Sequence, residues 1–538
     1  MPARSLLLVT CLVAGCNGMV SGPGGDDVAK DPGAPAVLPR LTTEQYLNST
    51  RDLLGSGLPA VVLEPDSNPY LFASIGATTT TLSEVGVQEY EGAAHVLAGA
   101  VFGDPARRQA LVGCAPITPG DECARAFLAR FGRRALRRPL GSEELDRWVA
   151  VSVDGVGGDP WRGLRIAVAG MLQSPYFIYR IELGEPDPDH EGRLRYSAWE
   201  MASRLSFLLW NTTPDDQLLA AAESGELVTE AGVRAAAERL LADPRARVSV
   251  QSFFAQYLDL GRLRGATPDT TLNPTWTPTM AASMRREVEL LVDDLVFGEE
   301  ADALTLFSTR TTFVNSELAA LYGIDAPDAT ADTFVRAELP ADGPRAGLLT
   351  LGAFLAMNAH PAETAPTLRG KYLRERVLCE LVPPPPQDFD IGIDDGSEEP
   401  RTIRERMEQH AGNPACAGCH TVIDPPGFLF EGFDEAGVFR TADHAGNPVD
   451  TSGDLDGVLL ADARELATHL ATDPRVPACM VRQLFRHANG RLELEGEADA
   501  LAGLVSAFAA SGHQFRSLLV SLVASESFRT LSPQEVKP

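Results

Sequence analysis

Apolar residues recur at three- and four-residue intervals along most of the chain, and the residues between these runs divide it into short helices. Leu41, Tyr46, Leu47, Leu53 and Leu54 fall on or near one helical face. Thr42 and Gln45 stand at capping-box spacing at its start, and Gly55 and Gly57 stop it. Residues 56–82 mix Gly, Pro, Asp and Ser without a clear period and are expected to lie over the helices as loop. Ala124–Leu136 and Ser142–Val151 read as two helices separated at Pro139, because proline has no N–H to give and cannot continue an interior helix. Ser197–Trp210 carries Trp199, Met201, Leu205, Leu208 and Leu209 on a broad apolar face, and Thr213-Pro214-Asp215-Asp216 opens another helix through Ala222. Similar patterns cover Gly232–Asp243, Ser249–Leu260 and Ala281–Phe297, so the middle of the chain is expected to be all-helical. Leu381–Pro386, ending in four prolines, predicts an extended polyproline II strap, after which Thr402–His410 is again helical.

At 538 residues the chain exceeds one ordinary core and predicts several domains. Arg4 followed by the apolar stretch Ser5–Gly15 reads as an export signal too short to span a bilayer. Its end, Val13-Ala14-Gly15-Cys16, resembles a bacterial lipobox, which implies cleavage before Cys16 and lipidation of its sulfur; an ordinary signal peptide is the alternative. Residues 17–38 are rich in Gly, Pro, Asp and Ala and read as a flexible tether. No later stretch reaches the roughly 18 consecutive apolar residues of a spanning helix, so the expected membrane attachment is by lipid anchor only.

The formal net charge of -28 argues against binding nucleic acid or an anionic membrane surface. Positive charge comes almost wholly from arginine, since the only lysines are Lys30, Lys371 and Lys537. In so acidic a chain the cluster Arg133, Arg134, Arg137 and Arg138 is expected to form intramolecular pairs rather than an anion site. Walker, Gly-x-Ser-x-Gly and His-Glu-x-x-His motifs do not occur.

The residues that carry chemistry are Cys416-Ala417-Gly418-Cys419-His420. Cys-x-x-Cys-His is the attachment sequence for c-type haem: the two thiols form thioethers and the adjacent histidine becomes the proximal iron ligand. From composition, such a pentapeptide is expected by chance about 0.002 times in this chain. A zinc site would need two further Cys or His ligands, and no second C-x-x-C exists. A thioredoxin-like pair would want a strand-to-helix context, whereas Cys416 follows Asn413-Pro414 at the end of a helix. One covalent haem c on Cys416, Cys419 and His420 is therefore the expected cofactor. Val422–Phe428 is expected to carry the chain around the haem edge, with a backbone carbonyl accepting the Nδ1–H of His420. Met357, His360, Met407, His410 and Met480 are candidates for the sixth ligand; the reading favours Met357 or His360, in a polar segment ahead of the proline strap, with an open distal position as the alternative.

Cys11 would leave with the signal and Cys16 would be acylated, so Cys114, Cys123, Cys379 and Cys479 are left over. Three pairings are formally possible, as are four free thiols; the favoured arrangement closes Cys114–Cys123 around a local turn and leaves Cys379 to meet Cys479, in an oxidising compartment.

Nearly the whole mature chain resembles the planctomycete and myxobacterial cytochrome-associated proteins built from domains of unknown function 1587, 1595, 1592, 1588 and 1585 in series. Leu41-Thr42-Thr43-Glu44-Gln45-Tyr46 with Arg51-Asp52-Leu53-Leu54-Gly55 resembles the first, Arg133–Leu140 the second, and Ala202–Trp210 with Pro214-Asp215-Asp216 the third. Arg369-Gly370, Leu378-Cys379, prolines 383–386, Cys416–His420, Asp424-Pro425, Gly427, Glu431, Phe433-Asp434, Gly437 and Arg440 resemble the fourth, a cytochrome-like domain. Cys479, Gly490-Arg491 and Ser525–Arg529 resemble the last. The resemblance implies haem binding and export but names no reaction.

The expected fold is mainly α, a multi-domain helical body with a cytochrome c-like haem domain in the C-terminal part. Its expected segments are a signal at 1–15, a linker at 16–38, helical domains at 39–105, 106–185 and 190–325, the haem domain at 335–445 and a last helical domain at 450–535. The expected function is that of an exported c-type haem protein transferring electrons in the periplasm or at the cell surface, with a basic redox partner protein. The alternatives are a haem enzyme of peroxidase or oxygenase type with an open distal site, and an envelope scaffold or adhesion lipoprotein with a structural haem.

Overall fold

Thr42 stops the chain from entering the first helix with unpaired N–H groups: its hydroxyl accepts from the Gln45 N–H while the Gln45 side chain accepts from the Thr42 N–H, and the helix Thr43–Leu54 follows. This is the start of a computed structural model that describes residues 35–154, 156–298, 302–383 and 402–532. The expected signal at 1–15, Cys16, most of the linker and prolines 384–386 lie outside the described residues.

The described chain is mainly helical. The helices Thr43–Leu54, Glu84–Phe102, Glu122–Ala135 and Pro160–Leu172 surround one hydrophobic core, in which Tyr46 packs edge-on against Tyr90 and Phe177. A second and larger core gathers residues from Leu71 to Leu531. The helix Ala198–Leu209 belongs to both: Phe207 faces the first core while Leu205 and Leu209 face the second, and every residue from Met201 to Leu209 is buried. A helix enclosed on all sides must satisfy its polar side chains internally. Accordingly Arg204 donates to Glu182 at 2.6 Å, and the Ser206 hydroxyl donates to the Thr212 carbonyl.

Residues 56–82 are not all loop. Pro69–Leu71 forms a 3-10 turn and Ala73–Thr79 an α-helix, and Phe72 between them is fully buried, stacking on Phe253 at 5.8 Å. The segment has too few turns to show a helical period, yet it carries Phe72 and Ile75 into the second core.

The arginine cluster is used internally. Arg133 pairs with Glu223 and Arg138 with Glu144, whereas Arg137 donates to the carbonyls of Ala135, Tyr176, Phe177 and Tyr179. Arg137 thus ties the end of one helix to the turn at Pro175–Ile178. Strands are few and short. Among the described residues the longest pairing is antiparallel, Thr311–Val314 with Val335–Glu338, and the last strand, Thr530–Leu531, joins Leu194–Arg195 beside Glu185–Pro186. Disulfides link Cys114 to Cys123 and Cys379 to Cys479. Among the described residues no helix is long and apolar enough to cross a membrane.

Candidate functional site

The motif lies in the first half of the helix Pro414–Phe428. Asn413 caps it by accepting from the Ala415 N–H, and Pro414 occupies the first turn, where a missing N–H costs nothing. Cys416, Cys419, His420, Ile423 and Asp424 recur at three- and four-residue spacing and so share one side of the helix. Both thiols are free and half-buried. The expected turn around a haem edge is absent, because the helix continues through Pro425 and Pro426 to Phe428. Pro426 cannot donate to the Val422 carbonyl one turn back, and the Arg374 Nε donates to it instead at 3.3 Å.

The helix Pro366–Tyr372 lies against the motif helix at backbone distance. A Cβ on Gly370 would stand 1.7 Å from the Ile423 carbonyl oxygen, and one on Gly427 would stand 2.0 Å from that of Pro366. Beyond the motif helix, fully buried Arg369 donates to the carbonyls of Phe430, Phe433 and Asp434, which fixes the chain as it leaves the helix. Asp434 in turn accepts from the N–H groups of Ala436 and Val438. These residues build the support of the site and do not face its cleft.

Contact with an acid orients the histidine. The His420 Nδ1–H donates to Asp424 Oδ2 at 2.8 Å, and the Thr367 hydroxyl donates to Asp424 Oδ1 at 2.7 Å. The partner of Nδ1 is therefore a carboxylate one helical turn away, in place of the expected backbone carbonyl: the helix continues past the motif and brings residue i+4 alongside the ring. Hydrogen bonding to Asp424 holds the proton affinity of His420 above its ordinary value against the opposing effect of burial. Burial and the neighbouring His420 push His410 in the other direction.

His420, Asp424, Met407, Phe428 and Leu460 line a cleft of about 620 Å³. One wall is the helix Ile403–Ala411, begun by a Thr402–Glu405 capping box, and another is the hairpin of Gly453–Leu455 and Val458–Leu460. Arg404 lies over the Phe428 ring at 4.1 Å on this cleft's edge. His410, on the same helix as Met407, meets the His420 ring edge-on with centroids 4.6 Å apart. Met357 and His360 do not line the cleft. Met357 is buried in the second core, and His360 is exposed on a two-residue strand paired with Glu363–Thr364. Met480 is buried in the helix Arg475–Asn489.

Cys416, Cys419 and His420 are legible in the sequence as a motif, and Met407 and His410 as candidate ligands, whereas Asp424 stands there only as part of the fourth domain's pattern and Thr367 not at all. The four-residue step from His420 to Asp424 was the available signal, once the segment is helical; Thr367 carries none. His420, whose Nε2 makes no hydrogen bond among the described residues, lines the apolar-walled cleft, and Cys416 and Cys419, free but not themselves lining it, share its side of the helix; together they are a donor set that could hold a porphyrin. Among the described residues no group of three or more Cys, His, Asp or Glu side chains is arranged to hold a bare metal ion.

Five family models match the chain in succession, each described as a protein of unknown function: DUF1587 over residues 40–103, DUF1595 over 123–182, DUF1592 over 196–324, DUF1588 over 345–443 and DUF1585 over 456–528. His420 and the helix Ile403–Ala411 fall within the fourth, whereas the hairpin that walls the cleft lies beyond it, with Val458–Leu460 in the fifth. No curated protein and no solved structure matches the chain.

Proposed function

We propose that this chain of five consecutive domains of unknown function is an exported c-type haem protein that transfers electrons. Cys416 and Cys419 would hold the porphyrin through thioethers, and His420 would supply the proximal ligand. Bound there, the haem would supply a one-electron ferric–ferrous couple. The observation that carries this reading is the state of His420: Nδ1 is committed to Asp424, so the tautomer is set and Nε2 is left as the donor atom, beside two free thiols.

The chain's own residues then have separable tasks. Asp424 and Thr367 hold the imidazole still. Phe428, Pro425 and Leu460 exclude water from the cleft wall. Met407, which lines the cleft, and His410, whose ring touches His420, are both on the helix Ile403–Ala411, and either could supply a further ligand to the iron. The acidic surface implied by a net charge of -28 suits a basic redox partner. Two disulfides fit a compartment outside the cytoplasm, and attachment there would be through lipidated Cys16.

The test is to express the mature chain with a cytochrome c maturation system and compare reduced, oxidised and CO-treated spectra with those of Cys416→Ala/Cys419→Ala. The expected result is a covalent, low-spin haem indifferent to CO in the wild type and none in the variant. Rapid CO binding would replace electron transfer with the haem-enzyme reading. A wild type without haem would overturn the proposal.

A further inference from the structure

We infer that Asp424, steadied by Thr367, is a positioning residue that makes His420 a stronger axial donor and so lowers the reduction potential of the haem; this rests on the haem reading above.

A carboxylate at this place needs a reason. Asp424 is 3 % exposed and sits in the C-terminal half of its helix, where the backbone carbonyls already make the potential negative. Burial of a charge there costs stability unless each oxygen is paired. Both are: Oδ1 accepts from Thr367 and Oδ2 from His420. A Thr367 hydroxyl has one proton to give, and of its two neighbours the carboxylate at 2.7 Å takes it ahead of the Met407 sulfur at 3.4 Å. Thr367 cannot drift from this register, because Gly370 and Gly427 bring the two helices into backbone contact on either side.

The arrangement has a chemical consequence for the ligand atom. A neutral carbonyl on Nδ1–H would fix only the ring's orientation, whereas a carboxylate also draws on the Nδ1 proton and leaves more electron density at Nε2. More density at Nε2, together with a fixed negative charge nearby, favours the ferric over the ferrous state.

The test is a spectroelectrochemical titration of the purified haem-loaded protein beside Asp424→Asn and Thr367→Val. Asparagine keeps the shape and can still accept from Nδ1 but carries no charge. The expected result for Asp424→Asn is a shift of at least tenfold in the ferric–ferrous equilibrium toward ferrous, a rise of about 59 mV for one electron. Thr367→Val should move the potential the same way by less. If either variant retains haem at the wild-type potential while only its melting temperature falls, Asp424 is a structural residue and the inference is overturned. Should Asp424→Asn fail to fold, Thr367→Val decides alone. A wild type that carries no haem sinks the functional proposal and this inference together, whereas an unmoved potential in a haem-loaded variant sinks this inference alone.

Discussion

Gly370 and Ile423 meet so closely that a Cβ on the glycine would stand 1.7 Å from the isoleucine carbonyl oxygen. No rotamer change relieves a clash between a Cβ and a backbone oxygen, so Gly370→Ala must separate the helix Pro366–Tyr372 from the motif helix. The expected cost is about 3 kcal/mol or more, at the upper end of overpacking, with reduced haem content. Gly418, inside the motif itself, has open space around its Cβ position, and Gly418→Ala should be neutral or stabilising by up to about 1 kcal/mol. Urea unfolding of both variants checks the contrast.

The two disulfides should differ in what they contribute. Cys379–Cys479 closes a separation of 100 residues that contains the whole motif, and Cys114–Cys123 closes one of 9. Loop entropy gives about 4.7 kcal/mol for the long closure and about 2–3 kcal/mol for the short one. Denaturant midpoints of Cys379→Ala/Cys479→Ala and Cys114→Ala/Cys123→Ala should fall in that order.

Among the described residues Arg137 serves four carbonyls and no carboxylate. Arg137→Met leaves those acceptors buried and should cost about 3 kcal/mol or more. Arg137→Lys should not restore it, since one ammonium cannot reproduce the planar fork. Thermal unfolding compared across the three proteins is the measurement.

His487 packs edge-on against both Phe72 and Phe253, and its enclosed Nδ1 has no hydrogen-bond partner among the described residues. Burial, helped by Arg180, lowers its pKa to about 4. A depressed folded-state value means that the unfolded chain takes up the proton first. The stabilising effect is therefore complete above the ordinary histidine value of about 6.5 and is lost as pH falls through about 4. His487→Phe should flatten this acid limb by up to about 3 kcal/mol while keeping the ring packing. Melting temperatures between pH 4 and 8 would show the change, and an acid limb equal to wild type would assign it to other groups.

Helices with marked ends were legible. Thr42–Gln45, Ser197–Glu200 and Thr402–Glu405 all form reciprocal caps, and the helices they begin lie where periodicity puts them. The segment holding Phe72 was not legible, because seven helical residues offer less than two periods. The contact of Asp424 with His420 was hidden for another reason: two prolines made Val422–Phe428 look like loop, yet Arg374 answers the Val422 carbonyl and the helix runs on.

By itself the sequence determined what local rules can decide: where most helices start, which thiols and which histidine stand together as a motif, and that four further cysteines remain to pair. These depend on residues within one or two turns of each other, whose spacing is already written in the chain. Tertiary structure alone decided what Nδ1 of His420 binds, which helix faces it, and how Cys379 reaches Cys479 across 100 residues. Thr367 and Asp424 are 57 residues apart, and their contact exists because two glycines let separate backbones touch. A contact of that kind depends on the packed surface, and no periodicity along the chain encodes it.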